Sequence, residues 1–352
     1  MKLRWGICSA GNISNDFVVA LSTLPAEDHA VVAVAARSKE DASKFAERHG
    51  IPVAYGGYEA LAEDDNVDIV YIGAVNNVHL PLCKLFLGKD KNVLCEKPLG
   101  LNKREVQEMV NLARQKNVFF MEGWWTRFFP ATAKLCELLD AGVIGDIKAV
   151  NVSLGKPISS VERLRNKDVG GGAVLDLGVY PIREALMIFG EAPISCTSAG
   201  TLTDSGVDET TVTTLIFPGK AVATLNTSMV VELANEAQIR GAKGYIKVHS
   251  PFWCPSKIEV TAVMGGAEHE VVKLTEVDLK TEVYEFCHPK AEKRTFFVNS
   301  AGLRYEAECA RQCLMKGLKE CPTVSLDESL LAAEILDKAR WDVGYRLPAD
   351  DL

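Results

Sequence analysis

Short apolar runs alternating with helix-length amphipathic stretches fill the first third of the chain, and this alternation constrains the fold more than any other feature. The runs fall at residues 3–8, 30–36, 67–73, 92–95 and 118–122, with a shorter one at 53–55. Val67-Asp68-Ile69-Val70-Tyr71-Ile72-Gly73 is almost continuously apolar, the pattern of a strand buried on both faces. Strands that alternate with helices in this way pair in parallel through crossover connections. Ligands of such a sheet bind beyond the carboxyl ends of its strands.

The residues at those strand ends carry the chemistry. Ser9-Ala10-Gly11-Asn12-Ile13-Ser14 follows the first run and opens a helical pattern over 15–24, a strand–turn–helix that suits a dinucleotide pyrophosphate. The glycine fingerprint is reduced, with serine at 9 and 14 and only Gly11 retained. The second run ends at Arg37-Ser38, where an acid would favour NAD and an arginine suits the 2′-phosphate of NADP. Ala74-Val75-Asn76-Asn77-Val78-His79 is the next strand-to-helix loop. It is placed to meet a ribose or nicotinamide, and His79 serves equally as a cap for a helix starting at Pro81. Leu94-Cys95-Glu96-Lys97-Pro98-Leu99 ends the fourth long run. A lysine beside a central strand end has a tunable pKa; the plainer reading has it snorkelling to solvent.

Composition narrows the function classes. A chain of 352 residues with 47% apolar and 24% charged residues has material for two globular domains. The net charge of −8, without a dense basic block, argues against nucleic acid and anionic membrane as partners. No signal-peptide or membrane-spanning run is visible, so a cytoplasmic protein is expected. Ten cysteines are scattered without a CxxC pair. Cys309 and Cys313, four apart on a helical pattern, form the one close spacing, and no metal site is expected.

After Gly123 the texture changes. Trp124-Trp125-Thr126-Arg127-Phe128-Phe129-Pro130 is an aromatic cluster at the junction, and short β runs recur from 147 to about Thr275. Pro218-Gly219-Lys220 is flanked by β runs at 210–217 and 221–229, which predicts a hairpin. Gly170-Gly171-Gly172 precedes a helical pattern in which Asp176 and Tyr180 share one face and Pro181 implies a kink. An acid and a phenol there read as chemistry, or as a helix-dipole acid beside an interface tyrosine. Phe252-Trp253 lies in a proline-bounded loop, as a substrate wall or a domain corner. Residues 304–319 and 326–345 are expected to be helical. The whole reads as α/β plus α+β: a doubly wound Rossmann sheet over 1–122, then an open-faced, largely antiparallel sheet domain over 123–352. The uncovered sheet face suits a homodimer.

Glu96-Lys97-Pro98 after a Rossmann strand, followed by the stretch 170–181, resembles the glucose-fructose oxidoreductase/inositol dehydrogenase/MocA family. Met121-Glu122, the stretch 125–130, Asp176-Leu177-Gly178-Val179-Tyr180-Pro181 and Phe252-Trp253-Cys254-Pro255 resemble its dimeric dihydrodiol dehydrogenase branch, also described as an NADP-dependent D-xylose dehydrogenase. The resemblance implies hydride transfer between NADP and a trans-dihydrodiol or the anomeric hydroxyl of an aldose. It implies catalytic roles for Lys97, Tyr180 and Asp176. Cofactor contacts are expected from Ser9, Gly11, Asn12, Ile13, Arg37, Ser38, Ala74, Asn76, Asn77, His79, Glu96, Lys97, Trp125 and Arg127. Trp125, Phe128, Asp176, Tyr180 and Trp253 are expected to line the substrate pocket. The alternatives are another sugar or cyclitol dehydrogenase on this plan, or a non-catalytic NADP sensor.

Overall fold

The computed structural model describes residues 2–263 and 278–351. Its contacts divide the chain into two compact units, Met1–Phe128 with His288–Leu330 and Phe129–Cys287 with Leu331–Leu352. The sequence pattern suggests a single break after residue 122. An amphipathic helix shows which of its faces is buried but not which unit buries it, so the return of 288–330 has no local signature.

The first unit holds six parallel strands: β1 (Leu3–Cys8), β2 (His29–Ala36), β3 (Val53–Gly56), β4 (Ile69–Ile72), β5 (Asn92–Glu96) and β6 (Phe120–Gly123). Their order, β3-β2-β1-β4-β5-β6, runs outward both ways from the β1/β4 pair. That pair is the switch point where a Rossmann sheet opens its ligand crevice. Ile7, Ile69, Val70, Val93 and Leu94 are fully buried, as strands covered on both faces require. The crossovers are α1 (Asn12–Leu21), α2 (Lys39–His49), the single turn α3 (Glu59–Ala62), α4 (His79–Gly88) and α5 (Lys103–Lys116). Side chains set two of their starts. Ser38 Oγ accepts the Asp41 N–H at 3.0 Å, and Asn102 Oδ1 accepts that of Glu105 at 2.9 Å.

The second unit contains α6 (Pro130–Asp140), β7 (Ile147–Gly155), α7 (Val179–Phe189) and β8 (Ser195–Leu202). It continues with β9 (Asp208–Phe217), β10 (Ala221–Ser228), β11 (Ala237–Gly241), β12 (Gly244–Val248), β13 (Lys257–Val263) and β14 (Leu279–Glu285). Its sheet runs β14-β13-β12-β11-β7-β10-β9-β8, antiparallel except for β7 beside β10. The predicted hairpin is present, with Phe217 opposite Ala221 around Pro218-Gly219-Lys220. The part of the expected β region from 264 to Thr275 lies outside the described residues. Val150, Val152, Leu215, Ala223, Leu225 and Ile246 point to one face and are buried, and α7 packs against β7 and β10. Alternate positions, among them Asn151, Val212 and Ile216, are exposed on the other face.

The chain then returns through α8 (Leu303–Met315), which packs on α1, before α9 (Leu326–Asp342). The fully buried Asp16 of α1 fixes this return. Its carboxylate accepts the N–H groups of Phe296 and Phe297, each at 2.8 Å, and the Ser300 hydroxyl at 2.6 Å. Among the described residues no helix is long and apolar enough to cross a membrane.

Candidate active site

The β1–α1 turn is shaped for an anion. Ser9 takes φ 87°, the left-handed conformation that glycine would adopt without cost, so the turn keeps its path despite the missing first glycine. Ser14, at the last fingerprint position, is fully buried with its hydroxyl toward the Gly73 carbonyl at 3.5 Å. Gly11 precedes α1 without a side-chain cap, and the first turn carries no acid, so the outward-facing amides at Asn12 and Ile13 favour negative charge. A Cβ on Gly11 would meet only Gly73 O at 3.6 Å and Ser9 Oγ at 3.7 Å, which are ordinary contacts. Packing therefore does not demand a glycine there, whereas the close approach of a ligand would.

Arg37, at the end of β2, is exposed and pairs with no carboxylate among the described residues. Ser38 is occupied as the α2 cap, with its hydroxyl 2.7 Å from Asp41 Oδ2. At the ends of β4 and β5 a buried network holds the loop that carries Lys97. The Tyr71 hydroxyl donates to Glu96 Oε1 at 2.7 Å, and the Lys97 N–H reaches Glu96 Oε2 at 3.2 Å. Burial raises the Glu96 pKa, against the pull of the Tyr71 hydroxyl and the Lys97 charge. The Leu99 N–H donates to Glu122 Oε1 at 3.2 Å. Lys97 is half-buried, and its peptide to Pro98 is cis.

His79 is the first residue of α4 and is fully buried. Its Nδ1 faces the Pro98 carbonyl at 3.0 Å and its Nε2 faces that of Ala74 at 3.1 Å, while burial lowers its pKa. The ring thus ties the Ala74 loop to the Lys97–Pro98 loop. Asn76 is buried, and Asn77 Oδ1 is a buried acceptor without a hydrogen-bond partner. Trp125 and Arg127 lie on a 3-10 turn, Trp125–Phe128, after β6; Arg127 sits 5.7 Å from the Trp124 ring centroid. Arg127 Nη1 is a second buried polar atom without a partner. Orphaned polar atoms are costly unless a ligand satisfies them. An uncapped helix start, an exposed unpaired arginine, an orphan carbonyl and an orphan guanidinium N–H in one unit fit a nicotinamide dinucleotide.

The other candidates belong to the second unit. Gly170, Gly171 and Gly172 lead into a π-helical turn, Val174–Gly178, that continues as α7. Gly172 has φ 108°, and a Cβ there would lie 2.2 Å from Asp208 Oδ1. Asp208 in turn accepts the Val174 N–H at 2.6 Å, and the Tyr345 hydroxyl donates to the Gly171 carbonyl at 2.8 Å. The wide π turn lies immediately before Pro181, whose missing N–H and bulky ring disturb the preceding turn; this is the physical form of the expected kink. Asp176 and Tyr180 are both buried. Asp176 Oδ1 is 2.8 Å from Arg163 Nη1, a partner the sequence reading missed. The only signal was basic residues in the loop just before the glycine run. Trp253 is half-buried, edge-on to Phe252 at 5.9 Å and with Lys156 Nζ 5.4 Å from its ring centroid. The structure thus groups the nucleotide candidates, Lys97, Trp125 and Phe128 in the first unit, and Asp176, Tyr180 and Trp253 in the second.

Residues 3–124 match the oxidoreductase family model with an NAD-binding Rossmann fold, and residues 132–247 match the GFO/IDH/MocA C-terminal domain. A Danio rerio protein named trans-1,2-dihydrobenzene-1,2-diol dehydrogenase is 46% identical, over 98% of each chain. The Homo sapiens protein of that name is 41% identical over 99% of each. Among solved structures, a 3-ketoreductase from Actinomadura kijaniata in complex with NADP and TDP-benzene is 25% identical with a TM-score of 0.77, covering 97% of this chain and 98% of that one. A levoglucosan dehydrogenase, 19% identical with a TM-score of 0.82 and 97% coverage of each chain, shares the fold. On these matches the chain belongs to the GFO/IDH/MocA family of NAD(P)-binding oxidoreductases.

Proposed function

We propose that the chain is an NADP-dependent dehydrogenase that oxidises a trans-dihydrodiol or the anomeric hydroxyl of an aldose such as D-xylose. The observation that carries this reading is the near full-length identity of 41–46% to proteins named trans-1,2-dihydrobenzene-1,2-diol dehydrogenase. NADP is favoured over NAD by the uncommitted Arg37 guanidinium, whose planar fork suits a 2′-phosphate. The amides at the start of α1 would hold the pyrophosphate. Asn77 and Arg127 would meet polar groups of the nucleotide through their orphan atoms. Ser9, Ala74, Asn76 and Glu96 shape these loops, and His79 positions two of them.

The bound dinucleotide would supply the hydride acceptor for the carbinol carbon. The chain must then remove the hydroxyl proton as that C–H bond breaks. Tyr180 is assigned as the base, taking the proton onto its phenolate oxygen while the carbinol becomes a carbonyl. A free phenol, with a pKa of about 10, is a poor base at neutral pH; a neighbouring ammonium favours the phenolate. Lys97 is assigned that role and the orientation of the substrate oxygen. Asp176, itself steadied by Arg163, is assigned to hold a substrate hydroxyl, and Trp125, Phe128 and Trp253 are assigned as substrate contacts. A homodimer through the open face of the β7–β14 sheet, where Val212 and Ile216 are exposed, completes the reading.

The test is NADP⁺ reduction across trans-dihydrodiols, aldoses and inositols, repeated with NAD⁺. Turnover of a dihydrodiol or D-xylose with NADP⁺ preferred is the expected result. Tyr180→Phe should lower kcat by about 10²–10⁴-fold with NADPH binding retained. Nucleotide binding without turnover of any substrate would overturn the enzymatic reading, and undiminished turnover in Tyr180→Phe would overturn the base.

A further inference from the structure

Away from the candidate active site, the first unit brings together three thiols that the sequence keeps apart. Cys309 and Cys313 stand one turn apart on α8. The helix ends at Met315, and Gly317 takes φ 70°, turning the chain back so that Cys321 reaches the same place. The three Sγ atoms all lie within 4.8 Å of one another, with those of Cys309 and Cys321 3.6 Å apart and no disulfide formed. Cys313 and Cys321 are buried, and Cys309 is partly exposed, which gives an entry path.

The backbone holds the third thiol in this cluster. Cys321-Pro322-Thr323-Val324 forms a tight turn closed by an antiparallel bridge between Cys321 and Val324, which fixes the backbone that carries the third thiol. A metal–sulfur bond of about 2.3 Å in a planar three-coordinate site places the sulfurs about 4 Å apart. That spacing falls between the 3.6 Å of the Cys309–Cys321 pair and the 4.8 Å limit of the set. Among the described residues no histidine or carboxylate joins the cluster. Zn²⁺ prefers four ligands, whereas three soft thiolates suit a monovalent copper ion.

We propose that Cys309, Cys313 and Cys321 form a three-thiolate site for a soft metal ion of low coordination number, with Cu(I) as the best match. Binding of one Cu(I) displaces the thiol protons to solvent and forms three Cu–S bonds, with no change of oxidation state.

The experiment titrates the reduced, full-length protein with Cu(I) from a bicinchoninate complex under anaerobic conditions. One Cu(I) per chain is expected, with a sulfur-to-copper charge-transfer band and an X-ray absorption shell of three sulfurs at about 2.3 Å. Each single serine variant, Cys309→Ser, Cys313→Ser and Cys321→Ser, should weaken binding by about 100-fold or more, while Cys287→Ser in the second unit should not. Zn²⁺ should bind at least about tenfold more weakly than Cu(I). Should a serine variant fail to fold, the wild-type protein still decides: Cu(I) should shield Cys309 from iodoacetamide and leave the exposed Cys287 reactive. Less than half an equivalent bound, a two-sulfur shell, tighter Zn²⁺ than Cu(I), or an unshielded Cys309 would overturn the site.

Discussion

The two regions that supply the candidate site residues treat their arginines in opposite ways. At the ends of the first unit's strands, Arg37 pairs with no carboxylate, and Arg127 rests near the Trp124 ring with one buried N–H unmet. Around the glycine run of the second unit, Arg163 is held by Asp176 at 2.8 Å. The fully buried Arg340 is held by Asp337 at 2.7 Å and Asp350 at 2.9 Å. The buried acids mirror this. Asp16 and Glu96 are satisfied by amides and hydroxyls, whereas Asp350 is matched by a guanidinium. The first region therefore keeps positive charge available for an anionic ligand, and the second spends its charge on fixing a frame around a buried acid and phenol. The contrast is what a dinucleotide site on one unit and a neutral polyol site on the other would need.

The comparison breaks most sharply at Arg340. Burial pushes the Asp350 pKa up, but Arg340, the Leu347 amide and the Trp341 ring N–H together pull it down to about 2. Replacing Arg340 by Met leaves two buried carboxylates without their cation, and a loss of about 3–5 kcal/mol in unfolding free energy is expected from urea titration. The sign for wild type follows: a lowered carboxylate pKa contributes stability above its usual value of about 3.8, lost as pH falls through about 2. A thermal midpoint that stays flat over that acid range would remove the ion pair from the account. Gly172→Ala comes next. The φ of 108° and the 2.2 Å approach to Asp208 Oδ1 should together cost about 2–3 kcal/mol, and should disturb the turn that carries Asp176. Unchanged stability and turnover would mean the glycine run is not under that constraint.

On the first unit, Arg37→Asp sharpens the other half of the contrast. The expected outcome is a KM for NADP⁺ raised by about 10–100-fold, with the KM for NAD⁺ little changed or lowered. A uniform rise for both nucleotides would point to a disturbed β2–α2 junction rather than a lost phosphate partner.

Much of this frame was legible in the sequence because it rests on local patterns. The near-continuous apolar runs mark β1, β2, β4 and β5, and the turn residues at 218–220 mark the β9/β10 hairpin. The strand-end positions of Arg37, Asn77 and Lys97 follow from the same runs. What escaped depends on partners distant along the chain. Arg163 meets Asp176 because the glycine run folds the loop back on itself, and Tyr71 meets Glu96 through strand neighbours. The helical pattern over 304–319 gave no sign that α8 stops at Met315, since propensity is weak against a single left-handed glycine at 317. That early stop is also what brings Cys321 to the other two thiols. The return of α8 to the first unit likewise places Glu306 there, an acid that the sequence alone shows only as one more helical glutamate.

Glu306 carries the smallest expected effect and the most specific pH signature. It is fully buried, and neither carboxylate oxygen has a hydrogen-bond partner. Burial, with the nearby charge of Glu96, raises its pKa well above the usual value, so the folded protein favours the protonated form. A raised carboxyl pKa means that the stability present below the unfolded value of about 4.3 declines as pH rises toward the folded value, because the unfolded chain ionises first. Glu306→Gln removes that titration while keeping the shape. The variant should match wild type near pH 4 and exceed it at pH 8 by at least about 1.4 kcal/mol, the equivalent of one pKa unit. Denaturant titrations at the two pH values read this directly. A gain equal at both would assign the effect to packing, and a loss at pH 8 would mean that an ionised Glu306 is tolerated inside the first unit.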